Sequence, residues 1–289
     1  MTALFALATA LLWGLADFGG GLLTRRMPAL TVVVASQTIA VVVLGAIVIA
    51  TGAWSETGPE LWYAVAAGVV GPVAMLSFYK ALALGPMGVV SPLGSLGVVV
   101  PVSVGLLIGD RPGLLQFAGI GVAVVGIVLA GGPELRGAPV QRQAVLLTLV
   151  AAFGFGSVMA LIAEASTTLT GLFLALFVQR VTNVVVGGGA LYVSVKRGGR
   201  ALPEGGEGMK VVRAALPALA FVGLADVAAN GTYSIAAQNG PVTVAAVLAN
   251  LYPVVTALAA RGVLKERLRA VQAAGAGLAL VGTVLLATG

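Results

Sequence analysis

"KALALGPMGVV" at residues 80–90 and "IAAQNGPVTVA" at 235–245 are two versions of one pattern. At a shift of 155 residues Gly85-Pro86 falls on Gly240-Pro241, and Gly68 falls on Gly223. Further along the shift becomes 156. Asp110-Arg111 then falls on Glu266-Arg267, Gln116 on Gln272, and Gly119, Gly121 and Gly126 on Gly275, Gly277 and Gly282. One inserted residue accounts for the slip. The chain is a repeat of one long unit, and the fold follows once the helices of that unit are counted.

Composition says where those helices lie. Of the 289 residues, 59% are hydrophobic and 9% charged. A soluble domain carries about 25% charged residues. This chain lacks the polar side chains to cover a water-facing surface, which places it in the membrane class. A spanning helix needs about 20 apolar residues. Cutting at charges and at Gly/Pro clusters predicts ten spans, roughly 3–23, 30–51, 60–83, 86–108, 114–131, 143–165, 169–194, 213–238, 240–262 and 268–288. Gly85-Pro86 and Gly240-Pro241 predict tight helical hairpins, and the longest loop, about 195–212, is a surface connection. The first span has no Lys or Arg at its amino end, so it lacks the charged region of a signal peptide and reads as a retained helix.

The predicted fold is therefore all-α, a polytopic membrane protein with ten transmembrane helices. They divide into two five-helix repeats, residues 1–135 and 143–289. Five is odd, so the second unit enters the membrane inverted relative to the first. Inverted repeats are a recurring plan of secondary transporters, with the substrate site at the repeat interface near the midplane. The alternative is a duplication kept for packing alone.

The net charge is +6, which in a soluble protein would suggest nucleic acid. Here 14 of the 16 Lys and Arg residues lie in or beside the odd-numbered loops, from Arg25 and Arg26 to Arg267 and Arg269. The even loops hold only Arg111, and Arg180 lies within a span. Positive-inside reasoning places the odd loops in the cytoplasm and both termini outside. The expected partners are the lipid bilayer of the cell's inner membrane and a small-molecule substrate, not nucleic acid.

Cysteine and histidine are both absent. That excludes disulfides, thiolate and imidazole metal sites, a cysteine nucleophile and a serine–histidine pair. No Walker loop, GxSxG or complete GxGxxG occurs; Gly154-Phe155-Gly156 lies in an apolar helix, where small residues serve packing. Neither a cofactor, a metal nor an enzymatic activity is expected.

The candidate site comes from polar residues inside the spans. An Asp at a helix centre costs about 2.5–3.5 kcal/mol on insertion scales, so it faces a cavity or a partner. Asp226 lies near the middle of the eighth span, with Asn230 and Tyr233 on the same face at i+4 and i+7. At the repeat shift Asp226 corresponds to Gly71, Asn230 to Met75 and Tyr233 to Phe78. The acid occurs in one half only, as a site-specific addition would. Two readings stand. Asp226 faces the cavity and binds a substrate ammonium or a proton, burial disfavouring its charged form. Or it pairs permanently with Arg180, mid-way along the seventh span beside Gln179 and Asn183, and fixes helix positions. Asp17 follows Trp13 by one turn, late in the first span, and either lines the cavity as a second proton-coupling candidate or sits hydrated at headgroup level. Trp13, Tyr79 and Tyr233 are candidates for an aromatic wall, with packing the plainer role for each; Asn250 adds an amide from the ninth span. The Gly-rich fifth and tenth spans read as close-packing faces, serving a contact between halves or a homodimer, so monomer and homodimer both stand.

With these residues in view the chain resembles the EamA-type transporters of the drug/metabolite transporter (DMT) superfamily. The resemblance spans essentially the whole chain. It rests on the paired units, on "WGLADF" (13–18), "ALGPMGVVSPLGSL" (83–96) and "AQNGPVTVAAVLANLYPVV" (237–255). The pairs in "GDRP" (109–112) and "LKERL" (264–268), each before a Gly-rich last helix, complete it. The first half departs from the family pattern at Pro92, Pro101 and Asp110. The resemblance implies a ten-helix carrier with a central cavity, often exporting amino acids or other small metabolites. The rival readings are a lipid-handling or accessory membrane subunit without carrier activity and, last, a membrane enzyme relying on isolated carboxylates.

Overall fold

A computed structural model of the chain describes residues 1–24, 26–84, 97, 99–130, 142–165, 168–203 and 208–264. Beyond these it describes 270–271, 274–275, 277–278, 281–282 and 285. All regular structure among them is helical. The elements are α1 (Thr2–Thr24), α2 (Ala29–Thr51), α3 (Leu61–Leu84), α4 (Val99–Leu107), α5 (Leu114–Ala130) and α6 (Arg142–Glu164). They continue as α7 (Leu169–Lys196), α8 (Gly208–Ala214), α9 (Leu216–Gln238), α10 (Val242–Ala249) and α11 (Tyr252–Leu264). Among the described residues six segments are long and apolar enough to cross a membrane: α1, α2, Leu61–Phe78 within α3, α6, α7 and α9. A helix satisfies its own backbone hydrogen bonds, which is why an apolar chain in lipid takes this form.

Local chemistry fixes the ends. Pro28 precedes α2, and Gly52 closes it in the left-handed region at φ 68°, where a side chain would be strained. The Thr168 hydroxyl accepts the Gly171 N–H at 3.0 Å and caps α7. The Asp110 carboxylate, just past α4, accepts the Thr243 N–H at 3.0 Å in the first turn of α10. Inside α3, Pro72, on the wall of the cavity described below, has no N–H to give the carbonyl of Gly68.

The structure departs from the predicted spans in two places. The ninth span, predicted as one helix over 240–262, is two, α10 and α11, broken at Asn250-Leu251. Pro253 cannot donate to the carbonyl of Ala249, and hydropathy does not register that missing bond. The predicted 213–238 helix likewise begins as the separate turn α8 before α9. The segment 85–96, most of the tenth span and the side chain of Tyr79 lie outside the described residues.

Packing runs inside out relative to a soluble protein. The buried positions are crowded with alanine, including Ala6, Ala40, Ala64, Ala67 and Ala229, while Ile49, Leu107, Leu114 and Val185 are at least 67% exposed. Small residues let helices approach, and large apolar ones face lipid. The most extensive contacts are α3 on α6 and α1 on α9; α2 packs on α7, α3 on α7 and α9 on α2. Glycines stand at the tightest crossings. A Cβ on Gly223 of α9 would strike the Ser36 carbonyl of α2, and one on Gly68 of α3 would strike the Gln179 carbonyl of α7. One on Gly282 would meet the Ala123 backbone of α5.

Gly223→Ala is expected to destabilise the fold by about 1–3 kcal/mol through overpacking. Gly188→Ala, where the added methyl meets nothing within 4 Å, serves as the neutral control. Thermal unfolding in detergent reads the difference; equal melting temperatures for the two would refute the close α9–α2 crossing.

Candidate functional site

Asp226 sits half-buried near the middle of α9, and four helices send a donor to it. Its Oδ1 accepts Trp13 Nε1 from α1 at 3.1 Å and Asn230 Nδ2 from α9 itself at 3.1 Å. Its Oδ2 accepts Gln37 Nε2 from α2 at 3.0 Å and Arg180 Nη1 from α7 at 2.8 Å. An ionised carboxylate has about four lone-pair sites, and all four are occupied. Gln37 closes the ring, its Oε1 accepting Arg180 Nη1 at 2.9 Å. The pairing of Asp226 with Arg180 and its place on a cavity wall coexist.

The cavity holds about 100 Å³, room for a few waters or a small organic group. Trp13, Asp17, Gln37, Met75, Arg180, Asn183, Asp226, Asn230, Asn250 and Tyr252 are among its lining. Gly71 and Pro72 line it from α3 and Gly156 from α6, so missing side chains help to make the space. A Cβ on Gly71 would press on Asn183.

The sequence candidates separate on this geometry. Asp17 lines the cavity and is exposed, with no ion-pair or hydrogen-bond partner among the described residues. Trp13 bridges the clamp and the wall, its ring 6.2 Å from Tyr252 in an edge contact. Asn250, carried into the lining by the break before α11, donates to the Ala246 carbonyl at 3.0 Å and to Met159 Sδ at 3.4 Å. Asn230 also donates to the Asp226 carbonyl at 2.8 Å. Tyr233 is fully buried and packs against Trp13 at 6.1 Å between ring centroids, and is not itself among the lining residues. Gln37 is the residue that sequence reasoning missed. A lone amide in the middle of "VASQTIA" was its only signal.

Buried polar atoms cluster here. Arg180 is 2% exposed, and its Nε and Nη2 have no hydrogen-bond partner among the described residues. The same holds for Gln179 Oε1, Asn183 Oδ1 and Asn230 Oδ1. No group of acidic residues among those described could hold a metal ion.

A family model for EamA-like transporters matches residues 1–132 and again 142–288. The chain belongs to the EamA-like transporter family. Membership points to a membrane transporter of small molecules and, with the apolar helices, to a multi-pass membrane protein. The transporter also resembles a solved structure described as "Crystal structure of protein". The two are 19% identical with a TM-score of 0.71, over 99% of this chain and 96% of that one, a likeness of fold. No curated protein matches it.

Removing one partner of a buried pair leaves the other charge uncompensated. Asp226→Ala is expected to cost about 3–5 kcal/mol of stability. Asp226→Ala combined with Arg180→Leu recovers most of it, because no lone charge remains. Melting temperatures of the two variants in detergent check this; a double variant less stable than the single one would contradict the clamp.

Proposed function

We propose that this transporter is a secondary carrier working by alternating access, exporting amino acids or related small metabolites, with no enzymatic step. The observation that carries the reading is an ion pair, Asp226 and Arg180, held midway along two helices on the wall of a cavity. Such groups persist at membrane depth where they serve a site or a pathway. The chain has no nucleotide-binding signature, so a gradient supplies the energy.

Two inverted five-helix units are the moving parts in this reading. Under an inverted repeat the contact of the third span with the sixth is the counterpart of the eighth with the first. These are the two most extensive contacts, α3 on α6 and α1 on α9. Gly68 and Gly223, matched at the repeat shift, each meet a backbone carbonyl on the second helix of the opposite unit. Gly14 would strike the Tyr252 carbonyl as Gly156 would strike that of Gly97, and residues 97 and 252 are also matched at that shift. The odd-numbered loops face the cytoplasm and both termini face out, in a cell inner membrane. The substrate site comprises Trp13, Asp17, Asp226, Asn230 and Asn250.

Asp17 is the better proton carrier of the two acids. It stands exposed in the cavity, whereas every acceptor site of Asp226 is filled. Purified protein in liposomes, loaded with an unlabelled amino-acid pool, is expected to accumulate labelled members by counterflow. Asp17→Asn is expected to keep this exchange and to lose net transport driven by an imposed pH gradient. Unchanged gradient-driven transport in that variant would remove the proton assignment. Wild-type liposomes without label would remove the amino-acid carrier.

A further inference from the structure

The cavity lies to one side of the main apolar core. Its lining on α1, α2 and α3 includes Asp17, Gln37 and Met75, all in the halves of those helices that lead to odd-numbered loops. The opposite halves pack into the core, through Ala6 and Ala10 of α1, Leu44 of α2 and Ala64 of α3. The short helix α10, on the even-loop side, is set into the same core, and all eight of its residues are buried. It packs on α1, α4 and α9.

Two hydrogen bonds hold the turn that leads into α10, one from each side. Thr2 Oγ1, at the start of α1, donates to the Asn239 carbonyl at 2.9 Å. The Asp110 carboxylate accepts the Thr243 N–H at 3.0 Å. α10 has no side-chain cap of its own, because Pro241 stands at its N-cap. A carboxylate from another helix takes that role, at the end where the helix dipole favours negative charge. The local backbone aims Asp110 there. α4 ends in a Schellman turn, with Asp110 N–H donating to the Gly105 carbonyl at 2.9 Å and Gly109 N–H to that of Leu106 at 3.4 Å. Gly109 takes φ 109°, which favours glycine. A Cβ on Gly105 would lie 2.7 Å from Asp110 Oδ2 and 2.8 Å from Thr243 Cγ2, so the two helix ends meet this closely because that side chain is missing.

Resting on the alternating-access reading above, we propose that α10 is the gate at the even-loop end of the cavity, shut in this structure, and that Asp110 and Thr2 are its latch. Both latch residues belong to the first unit, and both atoms they hold belong to the second. Rocking the units apart at this end must break both bonds. The pair of Asp226 and Arg180 lies within the second unit and is not parted by that movement. Asp110 acts on the gate and does not touch the substrate. With the odd loops in the cytoplasm, this is the outer gate, and the structure is the state that loads from inside, as an exporter requires.

The chain has no cysteine, so an introduced thiol reports access on its own. Met75→Cys, on the cavity wall, is labelled with a membrane-impermeant maleimide from either face of oriented membrane vesicles. Glu60→Cys and Arg197→Cys, both at exposed positions, mark the even-loop and odd-loop faces. Met75→Cys is expected to react from the odd-loop face and to be protected from the other. Adding Asp110→Ala is expected to raise the even-face rate at least ~10-fold, the worth of one hydrogen bond to a charged group. A lock tests the same turn independently. A Cβ on Gly240 would lie 3.1 Å from Thr2 Cβ, near the span of a disulfide. Oxidising the pair Thr2→Cys and Gly240→Cys is expected to stop counterflow of the labelled amino-acid pool, and reduction to restore it. Even-face labelling of Met75→Cys with Asp110 intact would overturn the gate. An unmoved even-face rate in folded Asp110→Ala would overturn the latch, as would counterflow that survives the cross-link. Without counterflow in the reduced protein the amino-acid carrier falls, and the labelling still decides the gate.

Discussion

The structure is organised around the difficulty of satisfying one carboxylate among apolar helices. Water would supply several hydrogen bonds to Asp226; the protein supplies four, from α1, α2, α7 and α9. The charge is met by one guanidinium, and the remaining donors are neutral. Deleting any donor leaves an acceptor unsatisfied at a site where that is expensive. These four helices therefore hold their relative positions through a single side chain, and the cavity beside it inherits its shape from that restraint.

The clamp works because the helices come close, and they come close because side chains are missing. Gly223 lets α9 rest on the Ser36 carbonyl of α2, one residue from Gln37. Gly68 lets α3 rest on the Gln179 carbonyl of α7, one residue from Arg180. Each close crossing thus adjoins a member of the polar ring. A bulkier residue at either crossing would spread the helices and lengthen 2.8–3.0 Å contacts that weaken steeply with distance. Packing and electrostatics are one mechanism here.

Much of this was legible in the sequence, for reasons that can be named. Asp226, Asn230 and Arg180 stood out because a charge or amide inside an apolar span carries a cost that composition exposes. Six spans were legible because α-helical length and hydropathy are local properties. The partner of Trp13 was not legible: an indole N–H says nothing of which helix lies opposite, and the α1–α9 contact spans 213 positions of chain. Gln37 escaped because one amide has no periodicity. The break at Asn250 escaped because a span is counted by side-chain hydropathy, whereas Pro253 acts through a missing backbone hydrogen. Tyr233 shares a helix face with Asp226 but is covered by Trp13, a tertiary contact that spacing alone does not reveal.

The division of the clamp between the two halves bears on how such a site could move. Asp226, Arg180 and Asn230 all belong to the second half, while Trp13 and Gln37 belong to the first. On the two-unit reading, rocking one half against the other would part only the neutral donors from the carboxylate. The ion pair travels as a body. A hydrogen bond to a charged group is worth about 1.5–3 kcal/mol, within reach of exchange for water or substrate in the cavity. Parting the ion pair itself would expose two uncompensated charges and cost several kcal/mol per ion. A carrier that kept its acid and its base in different units would face that larger barrier in every cycle. Placing both in one unit, with the Gln37 amide and the Trp13 indole reaching the carboxylate from the other, leaves a site that is rigid at rest and still separable.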